Sequence, residues 1–373
     1  MEIITYLFFG IIGIYSVFIV WLAYGFRQLP VFNNNLPETK SIFSIIVPFR
    51  NEAQHLPQLL YSFSQMDYPR SNFEIVFVND ASTDDSVSVI KEFQALSFNF
   101  RILDSARKSG SPKKDAITTA INSIQNEWII TTDADCFASP EWLKTIDSYI
   151  QSHNPSMIAG AVSFSAGDTF LQQFQQLDMI SLQGATMGSF GLRKAFMCNG
   201  ANLAYKKELF LELNGFEGND SIASGDDVFL LQKAVAKYPE KVQYLKSENN
   251  IILTEPLDNW NAVFNQRVRW ASKTKSYQNS FGKILALAVF GGNLAIVIGL
   301  LLTFAGRFSF WSWYLLFAVK IFADFLLLNP TGKFLKPEQV KFFLLSNLFY
   351  PFFSTAVALY SLFGKYEWKG RKF

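Results

Sequence analysis

The chain is short of the residues that build cross-linked or zinc-centred proteins. Its 373 residues include two cysteines, Cys136 and Cys198, and two histidines, His55 and His153. Two cysteines make no disulfide framework and fit a reducing compartment. The histidines lie far apart with no cysteine beside them, which argues against a zinc site. Net charge is only +2, so there is no basic field of the kind that binds nucleic acid. No Gly-x-Gly-x-x-Gly turn follows the first apolar strand, which lowers a dinucleotide-oxidoreductase reading, and no Walker A lysine loop is present. A cleaved signal peptide is not expected either. Only Glu2 precedes the first apolar run, whereas Arg27, Lys40 and Arg50 follow it, the reverse of a signal's charge order.

What is abundant is apolar. Hydrophobic residues make up 50% of the chain, and phenylalanine alone occurs 39 times. Residues 3–26 reach the roughly 20 apolar residues that a membrane-spanning helix needs. Residues 1–30 are therefore expected to be an uncleaved anchor. The positive-inside rule places the following domain in the cytoplasm, against the cytoplasmic (inner) membrane of a multi-pass protein. Three further apolar segments, 283–305, 309–328 and 341–363, form a C-terminal membrane region over 283–363. Lys320 and Asp324, four apart in the second, share a helix face and are expected to pair. The third carries Pro351. Lys333, Lys336 and Lys341 precede it, and a basic tail, 364–373, follows it. Both basic stretches suit the cytoplasm, so a re-entrant or hairpin-like last segment is expected.

Residues 31–40 read as a polar linker. From about 41 to 257, apolar runs alternate with amphipathic stretches. Strands are expected at 42–47, 73–78, 127–132 and 157–162, and helices at 52–65, 84–96, 114–125 and 140–151. This alternation predicts an α/β domain with a mostly parallel central sheet. Its binding residues should then collect at the carboxyl ends of the strands.

Polar motifs stand at those ends. Asp133-Ala134-Asp135 closes the run Trp128–Thr132. In extended chain, residues i and i+2 point the same way, and Mg²⁺ is commonly held by one or two carboxylates plus substrate phosphates. Pro48, Arg50 and Glu52 follow the first strand, where backbone N–H groups can meet a ligand. Asn79 and Asp80 follow the second; Asp80 can accept from a base or ribose, and Ser82, Thr83 or Asp84 can cap the next helix. Lys113-Lys114 opens a helix after Gly110-Ser111-Pro112; one lysine can meet a phosphate as a point charge, the other being solvated surface. Asp226-Asp227 follows Gly225 and opens another helix. Carboxylates there favour the helix dipole, and one of them can act as a general base. Gln266, Arg269 and Trp270 share one face of an amphipathic stretch within 258–280. Arginine suits a diphosphate and tryptophan the face of a sugar, or both residues simply lie at the lipid headgroups.

In this order the motifs resemble those of membrane-bound family 2 inverting glycosyltransferases with a GT-A fold, similar to ceramide glucosyltransferases and to cellulose, chitin and hyaluronan synthases. The resemblance covers about 42–280 and the membrane layout on both sides. It implies that Pro48, Arg50 and Glu52 border the donor's base, and that Asn79 and Asp80 contact base and ribose. The family often has two acids there, so Asn79 is a departure. It implies Lys113 near the diphosphate, Asp133 and Asp135 on the donor and a Mg²⁺ or Mn²⁺ ion, and Asp227 as catalytic base. Cys198, Asn199 and Gly200 resemble the acceptor loop, which is otherwise a plain strand–turn. Asp226 and Gly225 stand where the family usually has Glu and Thr, so acceptor contacts differ. Gln266, Arg269 and Trp270 would close over diphosphate and acceptor. The implied partners are a nucleoside-diphosphate sugar, a lipid or glycan acceptor and the membrane. Lipid glycosylation is favoured over a processive polysaccharide synthase because few membrane segments are available for a channel; an inactive nucleotide-sugar-binding protein is the non-enzymatic alternative.

Overall fold

Seven residues rich in β-branched and aromatic side chains, Phe43–Phe49, form β1, buried throughout except at Pro48. A strand covered on both faces is a continuous apolar run rather than an alternating one. The computed structural model describes residues 2–372 apart from 34–37, 94–97, 166, 221, 223, 336–340, 365–366 and 369–370. Part of the expected linker, Lys336 and five residues of the basic tail lie outside the described residues. In the sheet, β2 (Phe73–Asn79), β3 (Asn99–Asp104) and β4 (Trp128–Thr131) run parallel to β1 in the order β3-β2-β1-β4. β4 ends opposite Ile46, so Pro48, without an N–H, lies beyond that pairing.

Beyond β4 the sheet changes direction. A small second sheet holds β5 (Cys136–Phe137), β7 (Val162–Phe164) and β10 (Ile252–Thr254), whereas β6 (Met157–Gly160) and β9 (Val242–Leu245) extend the main sheet. Between β4 and β6 lies β8 (Leu203–Lys206), antiparallel to both. The sheet is thus mostly parallel, as expected, with one reversed strand. Two expectations are corrected. The strand expected at 157–162 breaks at Ala161 into β6 and β7, in different sheets. A strand unforeseen in the sequence, β3, forms the half-exposed edge, where only one neighbour and one covered face leave little apolar signature.

The chain divides into two compact units, one being Pro30–Ser165 with Met197–Glu255. This α/β unit carries α2 (Leu56–Ser64), α3 (Ser86–Glu92), α4 (Pro112–Ser123) and α5 (Trp142–His153), and later α7 (Lys207–Glu212) and α8 (Asp226–Lys237). Phe43, Phe63, Phe73, Phe77, Trp128 and Trp142 are at most 2% exposed in its core. Each such side chain contributes about 2–3 kcal/mol by burial. α2 and α3 start later than their apolar periodicity suggests, because residues 50–53 and 80–85 are used to tie two loops together.

The other unit is helical: Met1–Leu29, Ala166–Phe196 and Pro256–Phe373. It contains α1 (Glu2–Gln28), α6 (Phe170–Gly191), α9 (Trp260–Ser272), α10 (Ser280–Phe304), α11 (Phe310–Leu335) and α12 (Phe343–Phe363). Among the described residues, α1, α10, α11 and α12 are long and apolar enough to cross a membrane. Lys320 and Asp324 pair at 2.7 Å inside α11, as expected. α12 corrects the expected hairpin: it is one continuous helix through Pro351.

α6 has no counterpart among the expected elements. Its start is a capping box, in which the Thr169 hydroxyl accepts from the Gln172 amide and the Gln172 side chain accepts from the Thr169 amide. Its far end meets α1 backbone to backbone. A Cβ on Gly188 would lie 2.4 Å from the Leu22 carbonyl oxygen, and one on Gly25 would lie 2.2 Å from that of Gly188. Small residues permit this approach between helices. Gly188→Leu is therefore expected to destabilise the helical unit by about 3 kcal/mol or more, since the obstacle is backbone that has no other rotamer to take. Thermal melting in detergent tests it against Gly10→Leu, a site with nothing within 4 Å. Equal melting of the two variants would refute the close crossing.

Candidate active site

The loops after β1 and β2 are knitted together by the residues between strand and helix. Arg50 donates to the carbonyls of Asp80 (2.8 Å) and Ala81 (2.6 Å). The Thr83 amide donates to the Asn51 side chain at 2.8 Å, and the Glu52 amide to the Ser86 hydroxyl at 2.8 Å. The buried Glu52 carboxylate faces His55 Nδ1 at 2.8 Å. Arg50 and Glu52 thus have structural partners at the positions expected to border a donor base.

Asp84 completes the tie by accepting from the Ala53 amide at 3.0 Å and from Ser86. Partial burial pushes its carboxyl up, but these hydrogen bonds outweigh that and hold it below the usual range. A depressed carboxylate stabilises the fold above its unfolded pKa of about 3.9, and that contribution is lost as pH falls through the folded value. Asp84→Asn should therefore melt below the wild type at pH 7, with the gap closing as pH falls below the ordinary carboxylate range. A gap that persists unchanged into acid would rule this tie out.

Asn79 explains its own departure from the two-acid pattern. Its side-chain N–H donates to Asp104 at 2.9 Å while its oxygen accepts from the Ser82 amide at 2.9 Å. An aspartate there would set two carboxylates face to face. Asp80, 5% exposed, is paired at 2.7 Å with Arg107. Arg107 is absent from the sequence-derived site; the signal available was a cation in the loop leading to Gly110-Ser111-Pro112.

Lys113 is the centre of the site. α4 begins at Pro112, favoured in a first helical turn, which projects Lys113 toward the sheet's carboxyl edge. Its ammonium lies 2.5 Å from Asp133 and 3.6 Å from Asp226. Burial lowers its pKa, but Asp133, Asp226 and Asp227 more than offset this and raise it, so it stays charged. Lys114 corrects the expectation that one of the two lysines is solvated. It is 1% exposed, donating to the carbonyls of Asn219 (2.6 Å) and Ile222 (2.9 Å) and lying over the Phe229 ring.

Asp133-Ala134-Asp135 also needs a correction. The pair does not sit in extended chain; β4 ends at Thr131, and a turn carries Ala134 and Asp135, closed by the Cys136 amide on the Asp133 carbonyl at 3.2 Å. The carboxylates interact nonetheless: burial first, and then the charge of Asp133, raise the Asp135 carboxyl. Among the described residues no three His, Cys, Asp or Glu side chains converge as a metal cage. Two mutually repelling carboxylates, one already drawn to a lysine, fit a cation whose other ligands come from substrate phosphates.

Asp227 stands in the first turn of α8, entered through Gly225 at φ 82°, a left-handed conformation that suits glycine. Its carboxylate accepts from the Gly200 amide at 3.0 Å and from Val228 at 2.7 Å. The Gly200 carbonyl in turn accepts from the Thr131 hydroxyl at 2.7 Å. The Cys198-Asn199-Gly200 loop is thereby fixed between the end of β4 and the start of α8, with Asn199 turning it by accepting from the Ala201 amide at 3.0 Å. The α/β unit brings together Asp80, Lys113, Asp133, Asp135, Gly200, Asp226 and Asp227 along one edge of its sheet. Gln266, Arg269 and Trp270 belong to α9 of the helical unit, half-buried, with Arg267 buried between them.

Residues 44–213 match the profile of Glycosyl transferase family 2. The chain is 28% identical over 116 residues to the poly(ribitol-phosphate) beta-N-acetylglucosaminyltransferase TarS of Staphylococcus aureus, covering 31% of this chain and 20% of TarS. It is 28% identical over 120 residues to a dolichyl N-acetyl-alpha-D-glucosaminyl phosphate 3-beta-D-2,3-diacetamido-2,3-dideoxy-beta-D-glucuronosyltransferase of Methanococcus voltae, covering 31% of this chain and 37% of that one. The matches thus span well under two thirds of these relatives' own length. Among solved structures, the mannosyltransferase PcManGT from Pyrobaculum calidifontis, in complex with GDP-Man and Mn²⁺, superposes with a TM-score of 0.60 at 19% identity, covering 97% of each chain. The fold is GT-A-like.

Proposed function

We propose, from a chain that carries a family 2 glycosyl transferase domain over residues 44–213, that the protein is an inverting hexosyltransferase. It moves a sugar from a nucleoside-diphosphate sugar, taken to be a UDP-sugar, to a lipid or lipid-linked acceptor at the cytoplasmic face of the membrane. The observation that carries this reading is the Lys113 ammonium held between Asp133 and Asp226, next to the oriented carboxylate of Asp227. A cation for the diphosphate and a base for the acceptor are then neighbours.

In this reading Asp227 takes the proton of the acceptor hydroxyl as that oxygen attacks the anomeric carbon. The bond to the leaving diphosphate breaks on the opposite face, so configuration inverts without a covalent enzyme intermediate. Gly200 holds Asp227 in position. Lys113 stabilises charge on the departing diphosphate. Asp80, with Arg107, faces base and ribose. Asp133 and Asp135 would hold Mg²⁺ or Mn²⁺, which when bound neutralises diphosphate charge. Gln266 and Arg269 are assigned to the donor, and Trp270 to the acceptor, from the Gln-x-x-Arg-Trp resemblance.

Four helices fit for a membrane support an acceptor presented there. The test supplies membranes containing the protein with labelled nucleotide sugars and Mg²⁺ or Mn²⁺. Label in the organic phase, lost in Asp227→Asn, supports lipid glycosylation. Label in soluble or insoluble polymer replaces it with the synthase alternative. No transfer with any donor, alongside nucleotide-sugar binding, leaves the inactive binding protein.

A further inference from the structure

The Gln-x-x-Arg-Trp motif leaves its second position unspecified, yet Arg267 there is only 6% exposed. Its Nε donates to Asp178 of α6, itself 5% exposed. Its Nη1 donates to the side-chain oxygen of Gln266. Its guanidinium lies 4.3 Å from the centroid of the Trp270 ring. One guanidinium therefore touches both outer members of the motif and anchors them to a different helix. Its third nitrogen, Nη2, is sealed from solvent and has no hydrogen-bond partner among the described residues. Buried ion pairs are often no more stabilising than apolar residues of similar size, so fastening alone does not account for this one. The orientation satisfies Gln266 and Trp270 at the expense of Nη2.

We propose that Arg267, held by Asp178, is a positioning residue that sets the Gln266 amide for the donor and the Trp270 ring for the acceptor. This rests on the role assigned to the motif above. The rigid, planar fork matters here as much as the charge. Lysine at 267 could still pair with Asp178, but it could not hold Gln266 and stack on Trp270 together.

The test uses the full-length protein in detergent with its transferred sugar and acceptor, and compares Arg267→Lys, Trp270→Phe and the double variant. Arg267→Lys is expected to melt within a few degrees of the wild type and to lose about tenfold or more in kcat/KM for the acceptor. In the Trp270→Phe background the same change should cost less than about twofold, because residues acting as a unit are non-additive. Unchanged acceptor kcat/KM in Arg267→Lys overturns the proposal, as do effects that simply multiply in the double variant. If Arg267→Lys melts early, Asp178→Glu, which keeps the pair and lengthens one arm, takes its place in the same cycle. There too, an unchanged acceptor kcat/KM or a purely multiplicative double variant overturns the proposal. Wild type that transfers no sugar sinks the hexosyltransferase reading and this inference together; wild type that transfers, with an additive cycle, sinks this inference alone.

Discussion

Asp227→Asn is expected to lower sugar transfer by about 10²–10⁴-fold, the range in which a positioned general base contributes. That corresponds to about 3–5 kcal/mol of barrier. The substitution is close to isosteric. One amide oxygen still accepts from Gly200 or Val228, whereas the carboxylate accepted from both. The structural cost should be confined to one hydrogen bond and one favourable charge at a helix start, about 1–2 kcal/mol together. Turnover should therefore collapse while apparent melting moves by only a few degrees and donor KM changes little. Initial rates with a saturating donor, alongside melting of the same preparation, separate the two effects. Transfer within tenfold of the wild type would remove Asp227 from the role of base.

Lys113→Met should produce two opposite changes. Transfer is expected to fall by about 10²–10³-fold, as when one preorganised electrostatic donor to a developing charge is removed. Binding of Mn²⁺ to the nucleotide-free protein should instead tighten. The ammonium now draws on Asp133 and Asp226 and so competes with any other cation for the same charge. At an effective dielectric of about 20, unit charges about 4 Å apart interact by about 4 kcal/mol. A third of that is a tenfold change in affinity. Titrating free Mn²⁺ by its paramagnetic resonance signal reads this without any reaction. Methionine that leaves Mn²⁺ affinity unchanged would mean that Lys113 does not contest the site. A fall in affinity would mean that it helps to build it.

The strand ends were legible because β1, β2 and β4 are apolar along nearly their whole length. Polar residues that interrupt such runs fall at the ends, where Arg50, Asp80 and Asp133 stand. The long apolar helices were legible for the same reason. α6 was harder to read because glutamines, threonine and serine are buried along it, so polarity ceased to mark the solvent face. Its capping box, Thr169-x-x-Gln172, was the local sign that it begins. The turn at Asp133-Ala134-Asp135 escapes a sequence reading because β4 stops at Thr131, and the end of pairing depends on the neighbouring strand.

The sequence by itself determined the sheet-forming runs, the apolar helices and the chemical types of the groups at the strand ends. Each of these follows from local periodicity and composition, which need no knowledge of neighbours. Only the tertiary structure decided which groups meet. Lys113 reaches Asp133 and Asp226, while Lys114, one residue on, is sunk against Asn219 and Ile222. Gly200 orients Asp227 across 27 residues, and Asp178 anchors Arg267 across 89. Hydrogen bonds and ion pairs are settled by separations of a few tenths of an ångström in space. A chain that returns to the same place after dozens of residues leaves no periodic trace of that meeting in its sequence.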